Sequence, residues 1–332
     1  MRHALPALMA TALLVALGAC GEDGPDPAAT EPPAPTATDD TTPPDTNPPD
    51  ANPPGTDVPD TNPPDTNVSE TNPPGTVPGY EHPTGADEVV LSYAEVGGFT
   101  TREFAFQNPP VLLVTGDGRV ITPAAVTAVF PGPLVAPLQI QSITEEGIQA
   151  LLAAADDAGL LREVDYADDA EQLIADASTA QVEIAADGET WVHSAYALGI
   201  DSLPAAAGDG AELSPDRAAL QDFVESLADL GTLVGAENLG EQEIYEPSAY
   251  QLLAFPVDDP SAFERDGIEP TLLDWPTDAG VSLADAESCV EVDADMVGPV
   301  LTGADELTLF ADDGTTYQVL ARPVIPGRTC DS

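Results

Sequence analysis

The amino-acid sequence predicts an α+β fold, in which an antiparallel sheet built from Asp-Gly hairpins has two amphipathic helices packed on it. The first observation is that three pairs of strand-like segments are each separated by an Asp-Gly turn, at Asp117-Gly118, Asp187-Gly188 and Asp313-Gly314. Such turns favour β-hairpins, whose strands are antiparallel. The second is that two stretches with apolar residues at helical spacing lie between the hairpins. Each has one apolar face, which we expect to cover a sheet.

The folded part is expected to begin near residue 85 with a strand. Residues 88–93 are rich in Val, Leu and Tyr, as strands are, and Gly97-Gly98-Phe99 then supplies a turn or bulge. The first hairpin follows, with strands at 111–115 and 119–122. An exposed apolar patch at the turn would favour a protein partner, so Gly97, Gly98 and Phe99 form a candidate binding loop.

Two helices are indicated by their caps and their apolar spacing. The first is expected from Thr144, a suitable N-cap that two glutamates follow, to Gly159, which suits a C-terminal cap. The second is expected from Ser214, an N-cap with Pro215 at the first helical position, to Gly231. The apolar stripes are Ile148, Leu151, Leu152 and Ala155 in the first helix, and Leu220, Phe223, Val224 and Leu227 in the second.

The second hairpin carries one of the three histidines of the chain. A two-residue turn puts Val182 opposite His193 and places Trp191 on the same face of the ribbon. A histidine beside an indole favours a packing role over that of a general base. Ser194 points to the other face, so the neighbouring histidine and serine are not a catalytic pair.

Beyond residue 240 the sequence predicts a strand at 248–257, a turn-rich stretch around Trp275 and a Cys-bearing segment that contains the third hairpin. Residues 293–302 are a candidate short helix, against which Gly298-Pro299 argues, since proline breaks helices. Two interpretations of Trp275 stay open. It is either a core residue at a strand end or a loop-borne aromatic platform for a sugar or peptide.

The first 19 residues are interpreted as a lipoprotein signal peptide. Arg2 precedes an apolar run that is typical of a secretory signal and too short to span a bilayer. The run ends in Leu17-Gly18-Ala19-Cys20, which resembles the lipobox of bacterial lipoproteins. The resemblance implies lipidation of Cys20 and a protein held on the outer face of the cytoplasmic membrane, exposed to the cell wall or exterior. The alternative is an ordinary signal peptide with a chance cysteine.

Residues 20–84 are expected to form a disordered tether, because they are rich in Pro, Thr and Asp and have few apolar residues to bury. A five-residue unit with paired prolines recurs at 46–50, 51–55, 61–65 and 71–75. Paired prolines favour polyproline II and like charges resist collapse, so the tract is expected to act as a semi-rigid stalk. The remainder, 85–332, is the predicted globular region, for which 85–235 and 240–332 are an alternative division.

The order of features within residues 88–230 gives a second resemblance. The features are a strand running into Gly97-Gly98-Phe99, the helix from Thr144, Ala175-Asp176 ahead of a strand, Asp187-Gly188, and the closing helix from Ser214. This order resembles emfourin, a small proteinaceous inhibitor of thermolysin-like metalloproteases. The chain departs from it in an insert around Pro131-Gly132-Pro133 and in the Cys-bearing C-terminal segment. The whole layout also resembles uncharacterised lipoproteins of high-GC Gram-positive bacteria, which implies a localisation and no activity.

The charge of the chain excludes several classes of partner and chemistry. There are 59 acidic residues against eight arginines and no lysine, for a formal net charge of −51. Such a field repels nucleic acid and anionic lipid and favours a soluble monomer. Without lysine there is no P-loop, Schiff base or Ser-Lys dyad, and no G-x-S-x-G elbow occurs. Paired carboxylates are expected to be solvated, and a calcium or glycosidase site among them would depend on their separation in space.

Cys289 and Cys330 are expected to form a disulfide. Cys20 is used by the anchor, and in an exported protein the two remaining cysteines most simply pair. Zinc or copper would need several His or Cys ligands, so no metal, cofactor or catalytic residue is predicted.

These observations predict a non-enzymatic binding module, anchored in the membrane through a lipid on Cys20, for an extracellular protein or envelope component. Protease inhibition is one version of this function. The alternatives are an extracellular hydrolase that uses two converging carboxylates, and a passive envelope component.

Overall fold

The computed structural model describes residues 79–166, 174–200 and 214–330, and it confirms the α+β fold. The predicted signal peptide, Cys20 and nearly all of the predicted tether lie outside these described residues. The described part contains two β-sheets, each with its own apolar core, and five α-helices.

The first sheet has seven strands and is antiparallel throughout. Its strands are β1 (Val89–Gly97), β2 (Leu112–Thr115), β3 (Arg119–Pro123), β4 (Leu138–Ser142), β5 (Ser178–Ala186), β6 (Glu189–Tyr196) and β7 (Glu243–Ile244), in the order β6-β5-β1-β2-β3-β4-β7. Asp187 and Gly188 join β5 to β6, and both have positive φ, at 52° and 77°. This is the backbone that a two-residue hairpin turn requires, and few residues besides Asp, Asn and Gly adopt it.

The described residues form five α-helices. They are α1 (Arg102–Gln107), α2 (Glu145–Asp157), α3 (Pro215–Leu227), α4 (Leu230–Val234) and, in the second half of the chain, α5 (Ala294–Thr302). The two predicted helices, α2 and α3, begin at their predicted caps: the side chain of Thr144 accepts from the Gly147 N–H and that of Ser214 from the Arg217 N–H. The apolar faces of α2, α3 and α4 pack on the sheet in one core.

The end of the second predicted helix is corrected by the structure. Gly231 was expected to end it, but α3 ends at Leu227 and Gly231 lies inside α4. The reason is a local cap that the apolar spacing does not reveal. The side chain of Asp229 accepts from the Thr232 N–H at 3.2 Å and begins a new helix.

The second sheet has five strands and is mixed. Its strands are β8 (Ala249–Pro256), β9 (Leu272–Asp274), β10 (Val290–Asp293), β11 (Leu309–Asp312) and β12 (Thr315–Pro323), in the order β10-β8-β12-β11-β9. All pairs are antiparallel except β9 and β11, which are parallel. The candidate helix at 293–302 forms as α5 with Pro299 inside it, and the side chain of Asp293 caps it by accepting from the Asp295 N–H.

The two sheets are joined by segments that cross between their cores. Leu134, next to Pro131-Gly132-Pro133, is buried in the core of the second sheet, and its N–H donates to the Ala304 carbonyl. In the opposite direction, Ile325 follows β12 and packs against Leu113 and Ile121 on the face of the first sheet that α2 and α3 leave uncovered. We call residues 324–330 the C-terminal strap.

The C-terminal strap ends in the disulfide that the sequence predicts. Cys330 is bonded to Cys289, which immediately precedes β10, and their Cα atoms are 5.3 Å apart. A second bond holds the start of the strap, where the Tyr245 hydroxyl donates to the Val324 carbonyl at 2.9 Å. The strap is therefore fixed at both ends while its middle lies on the first sheet.

Candidate ligand-binding groove

The predicted binding loop lies at the end of β1 and presents an aromatic side chain to solvent. Gly97 and Gly98 have φ values of 72° and 78°, in the left-handed region that glycine adopts without strain. They turn the chain out of the strand so that Phe99 is 89% exposed. Thr101 then caps α1 by accepting from the Phe104 N–H. The loop therefore projects a large apolar surface away from the core.

A groove lies beside this loop, on the face of β1 that points away from α2 and α3. Side chains alternate along a strand, so Leu91 and Tyr93 enter the core while Ser92, Ala94 and Val96 form the floor of the groove. These three side chains are small, which leaves a cavity of about 340 Å³ above them. The groove thus follows from the strand period and from the choice of small residues on one face.

Helix α1 forms one wall of the groove and is held there by side-chain amides. The Asn108 amide donates to the Glu95 carbonyl at 3.0 Å, and the Gln107 amide donates to the Leu134 carbonyl at 3.0 Å. Phe104 and Ala105 line the cavity from this wall, and Phe104 is 55% exposed. Two aromatic side chains of adjacent elements, Phe99 and Phe104, are thus largely exposed beside the groove.

The C-terminal strap closes one end of the groove, and a buried arginine fixes it there. Arg322 on β12 is only 3% exposed. Its guanidinium donates to the Gln251 side-chain oxygen at 2.8 Å, to the Phe106 carbonyl at 3.1 Å and to the Thr329 carbonyl at 2.8 Å, and it stacks on the Phe106 ring at 4.4 Å. Burial, with the positive charge of Arg328 as a smaller cause, lowers the pKa of Arg322 to about 10. Arg322 therefore joins α1, β8 and the strap.

Arg328, on the strap itself, lines the groove. Its Nη2 donates to the Phe106 carbonyl over a long 3.4 Å, and burial lowers the pKa of its guanidinium. The ion pairs between described residues are His82–Glu145, Arg119–Asp117 and Arg162–Asp216, so no described carboxylate pairs with Arg328. The groove thus has an apolar floor and wall and one half-buried cation at its end.

Two acidic residues, Glu95 and Glu183, also line the groove, and the Glu95 carboxylate accepts from the hydroxyls of Tyr93 and Ser178. Glu183 on β5 lies directly opposite Ser92 of β1 and on the same face of the sheet. Glu183 and Arg328 are not within ion-pairing distance of each other. The two charges are therefore separate features of the groove.

Trp275, a candidate aromatic platform or core residue, lies in the core of the second sheet, which agrees with the second of these interpretations. It is 4% exposed, its indole N–H donates to the Val281 carbonyl at 3.0 Å, and its ring meets Phe310 edge to face at 5.8 Å. The platform interpretation is thereby corrected: a buried indole with a satisfied N–H has no free face on which a sugar or peptide could stack.

His193 lies under the helices, with both ring nitrogens bonded. Nε2 lies 2.7 Å from the Leu160 carbonyl, which can only accept, so this nitrogen carries the proton. Nδ1 then accepts from the Tyr166 hydroxyl at 3.0 Å. Burial is the main cause that lowers the pKa of His193. The residue is a neutral packing histidine, consistent with the interpretation of the sequence.

The carboxylates of the described ranges do not gather into a metal site. No group of three or more His, Cys, Asp or Glu side chains there could hold a metal ion. None of the helices in those ranges is both long and apolar enough to cross a membrane. Neither finding bears on residues 1–78.

Sequence reasoning located the loop but missed the groove beside it. Helix α1 is a six-residue helix without apolar periodicity, and the strap comes from the far end of the chain. One signal was nevertheless present. In a chain with only eight cationic side chains apart from histidine, two arginines lie six residues apart at 322 and 328, which indicates that both have structural or binding roles.

No known protein family, curated protein or solved structure matches this chain. The resemblances to bacterial lipoproteins and to emfourin therefore remain predictions.

Proposed function

We propose that this protein is a non-enzymatic binding module that a lipid on Cys20 holds at the outer face of the cytoplasmic membrane, and that recognises an extracellular protein or envelope component. The observation that carries the proposal is the apolar groove of β1 with the exposed Phe99 and Phe104 beside it. The predicted stalk between Cys20 and the folded region would give this face access to partners at a distance from the membrane.

The exposed aromatic side chains support a role in recognition, because such side chains are frequent in binding sites. Single exposed apolar residues are common on soluble proteins, whereas apolar side chains that cluster around a concave site are typical of interfaces and ligand pockets. Phenylalanine buries a large area at a small entropic cost and is frequent in interface cores. Phe99 and Phe104 both lie between β1 and β2, Phe99 in the turn and Phe104 on α1.

The composition of the groove favours binding over catalysis. Its lining is mostly small and apolar, with the guanidinium of Arg328 and two acidic residues, Glu95 and Glu183. The Glu95 carboxylate points to the opposite face of the sheet from Glu183, where it accepts from the hydroxyls of Tyr93 and Ser178. A carboxylate hydrolase would bring two acidic groups together, with the pKa of one raised to serve as the acid. Recognition needs only shape, apolar area and a few polar contacts, all of which this face offers.

The test is a crosslinking capture experiment with the full chain, its disulfide intact, and envelope extracts of the source cells. We expect a specific partner to be captured by the wild type and lost in the double variant F99S/F104S, since two exposed aromatic contacts are removed. I244S is the matched control, because Ile244 on β7 is 67% exposed and distant in the sheet order from β1. If the same partner were captured equally by F99S/F104S, the groove face would not be the binding site.

The identity of the captured partner then separates the versions of this function. A metalloprotease whose activity falls on binding would make the protein an inhibitor, as the emfourin resemblance implies. An empty eluate from the wild type would contradict recognition of a protein and leave an envelope lipid or polymer as the ligand to screen.

A further inference from the structure

We propose that the groove binds a fatty carboxylate, an unbranched apolar chain with one carboxylate group, whose chain lies along β1 and whose carboxylate pairs with Arg328. This inference rests on the proposed function, because it takes the groove as the recognition site and names the chemistry of its ligand. Three observations support it. The Arg328 guanidinium is half-buried and makes a long hydrogen bond, the floor of the groove runs along one strand and is formed by small residues, and no described acidic residue pairs with that guanidinium.

The guanidinium of Arg328 is the first step of the argument. It has lost part of its hydration, and its bond to the Phe106 carbonyl, at 3.4 Å, is long. A planar guanidinium binds a carboxylate with two parallel charge-assisted hydrogen bonds, which are stronger than a bond to a carbonyl. A ligand carboxylate at the end of the groove would therefore give Arg328 the two charge-assisted hydrogen bonds that the described residues do not provide.

The floor of the groove sets the shape of the rest of the ligand. Ser92, Ala94 and Val96 run along one strand, and four residues of extended chain span about 13 Å, which suits a chain of about ten carbons. The cavity of about 340 Å³ is at the lower end of the range for small-molecule sites. Small floor residues and the apolar wall of α1 leave room for a single acyl chain.

The net charge of −51 does not prevent this binding. Exposed charges farther than about 8 Å are screened at physiological salt, whereas a half-buried contact pair is screened much less. Glu95 and Glu183 are the acidic residues that line the groove, and Glu183 lies on β5, opposite Ser92. The ligand carboxylate is expected at the strap end, next to Arg328.

The experiment is calorimetric titration of the full chain with decanoate below its micellar concentration, with decanol and decylamine as probes of the same chain length. We expect decanoate to bind most tightly. The variant R328Q is expected to bind decanoate about 10- to 100-fold more weakly, since a hydrogen bond to a charged group contributes about 1.5–3 kcal/mol. Its binding of decanol is expected to change little.

Two further variants keep the result interpretable. R265Q removes an exposed arginine of the second half of the chain and is expected to bind decanoate like the wild type. A94F fills the floor without changing any charge, and it is expected to abolish binding of decanoate and decanol alike. The thermal midpoint of each variant checks that it is folded.

Several results would overturn the proposal. These are equal binding of decanoate by R328Q and the wild type, binding of decanol or decylamine as tight as that of decanoate, and tighter binding of an apolar peptide through its C-terminal carboxylate. The absence of decanoate binding to the wild type would overturn it as well. If the crosslinking experiment still captured a partner in a way that depends on Phe99 and Phe104, the proposed binding function would hold and only the fatty carboxylate would be wrong.

Discussion

Removing the Cys289–Cys330 disulfide is expected to lower the free energy of unfolding by about 4 kcal/mol. The two cysteines are 41 residues apart in the chain. In a chain-entropy treatment, opening a loop of that length returns about 13 cal/mol/K to the unfolded state, or about 4 kcal/mol at 25 °C. For a protein of this size, 1 kcal/mol corresponds to about 2–4 °C, so the midpoint of thermal unfolding is expected to fall by about 8–16 °C.

The assay is urea and thermal denaturation of the wild type and of C289A/C330A, each with and without a phosphine reductant. The reductant is expected to lower the stability of the wild type to that of the variant and to leave the variant unchanged, which provides an internal control. A loss of less than about 1 kcal/mol would refute the reasoning. It would mean that Arg322 and Ile325 hold the strap in place without the covalent link.

Three further predictions concern buried groups. Trp275→Ala is expected to lower the free energy of unfolding by about 3–5 kcal/mol in urea denaturation, because it empties a packed site beside Phe310, and a loss below 1 kcal/mol would contradict the core assignment. Arg322→Met is expected to destabilise by at least about 3 kcal/mol, since one buried and two partly buried acceptors lose their donor. A smaller loss would show that water replaces the guanidinium. Burial depresses the pKa of His193, so its contribution to the free energy of unfolding is complete above the unfolded-state pKa of about 6.5 and is lost as the pH falls below that value. His193→Gln is therefore expected to flatten the fall in stability between pH 7 and 5. An unchanged slope would argue against a buried neutral histidine.

Local signals in the sequence predicted the elements whose causes are local. Thr144 and Ser214 satisfy backbone N–H groups within three residues of themselves, so the starts of α2 and α3 could be located without any tertiary information. The turn at Asp187-Gly188 likewise needs only its own backbone preference. The disulfide could be predicted because only Cys289 and Cys330 remain once Cys20 is assigned to the predicted lipid anchor.

The remaining features depend on contacts between distant parts of the chain. The parallel pairing of β9 with β11 cannot be deduced from three residues at 272–274, because a short apolar run carries no information about its partner. The groove requires α1 and β1 to meet the strap, more than 200 residues later in the chain. Trp275 lies beside a proline in a turn-rich stretch, and its burial is set by Phe310 across the sheet.

The assembly of the groove from both ends of the folded chain has a consequence for folding. Its floor belongs to β1, yet its closed end exists only after β12 has paired with β8 and the strap has crossed back to Phe106. Such distant contacts are among the last to form, because a long loop must close before they contribute. A chain that has completed only the first sheet would show the floor without the cation. A ligand of the closed groove would therefore bind only the completely folded chain. By mass action it would shift the folding equilibrium toward that state, so its binding would report that folding is complete.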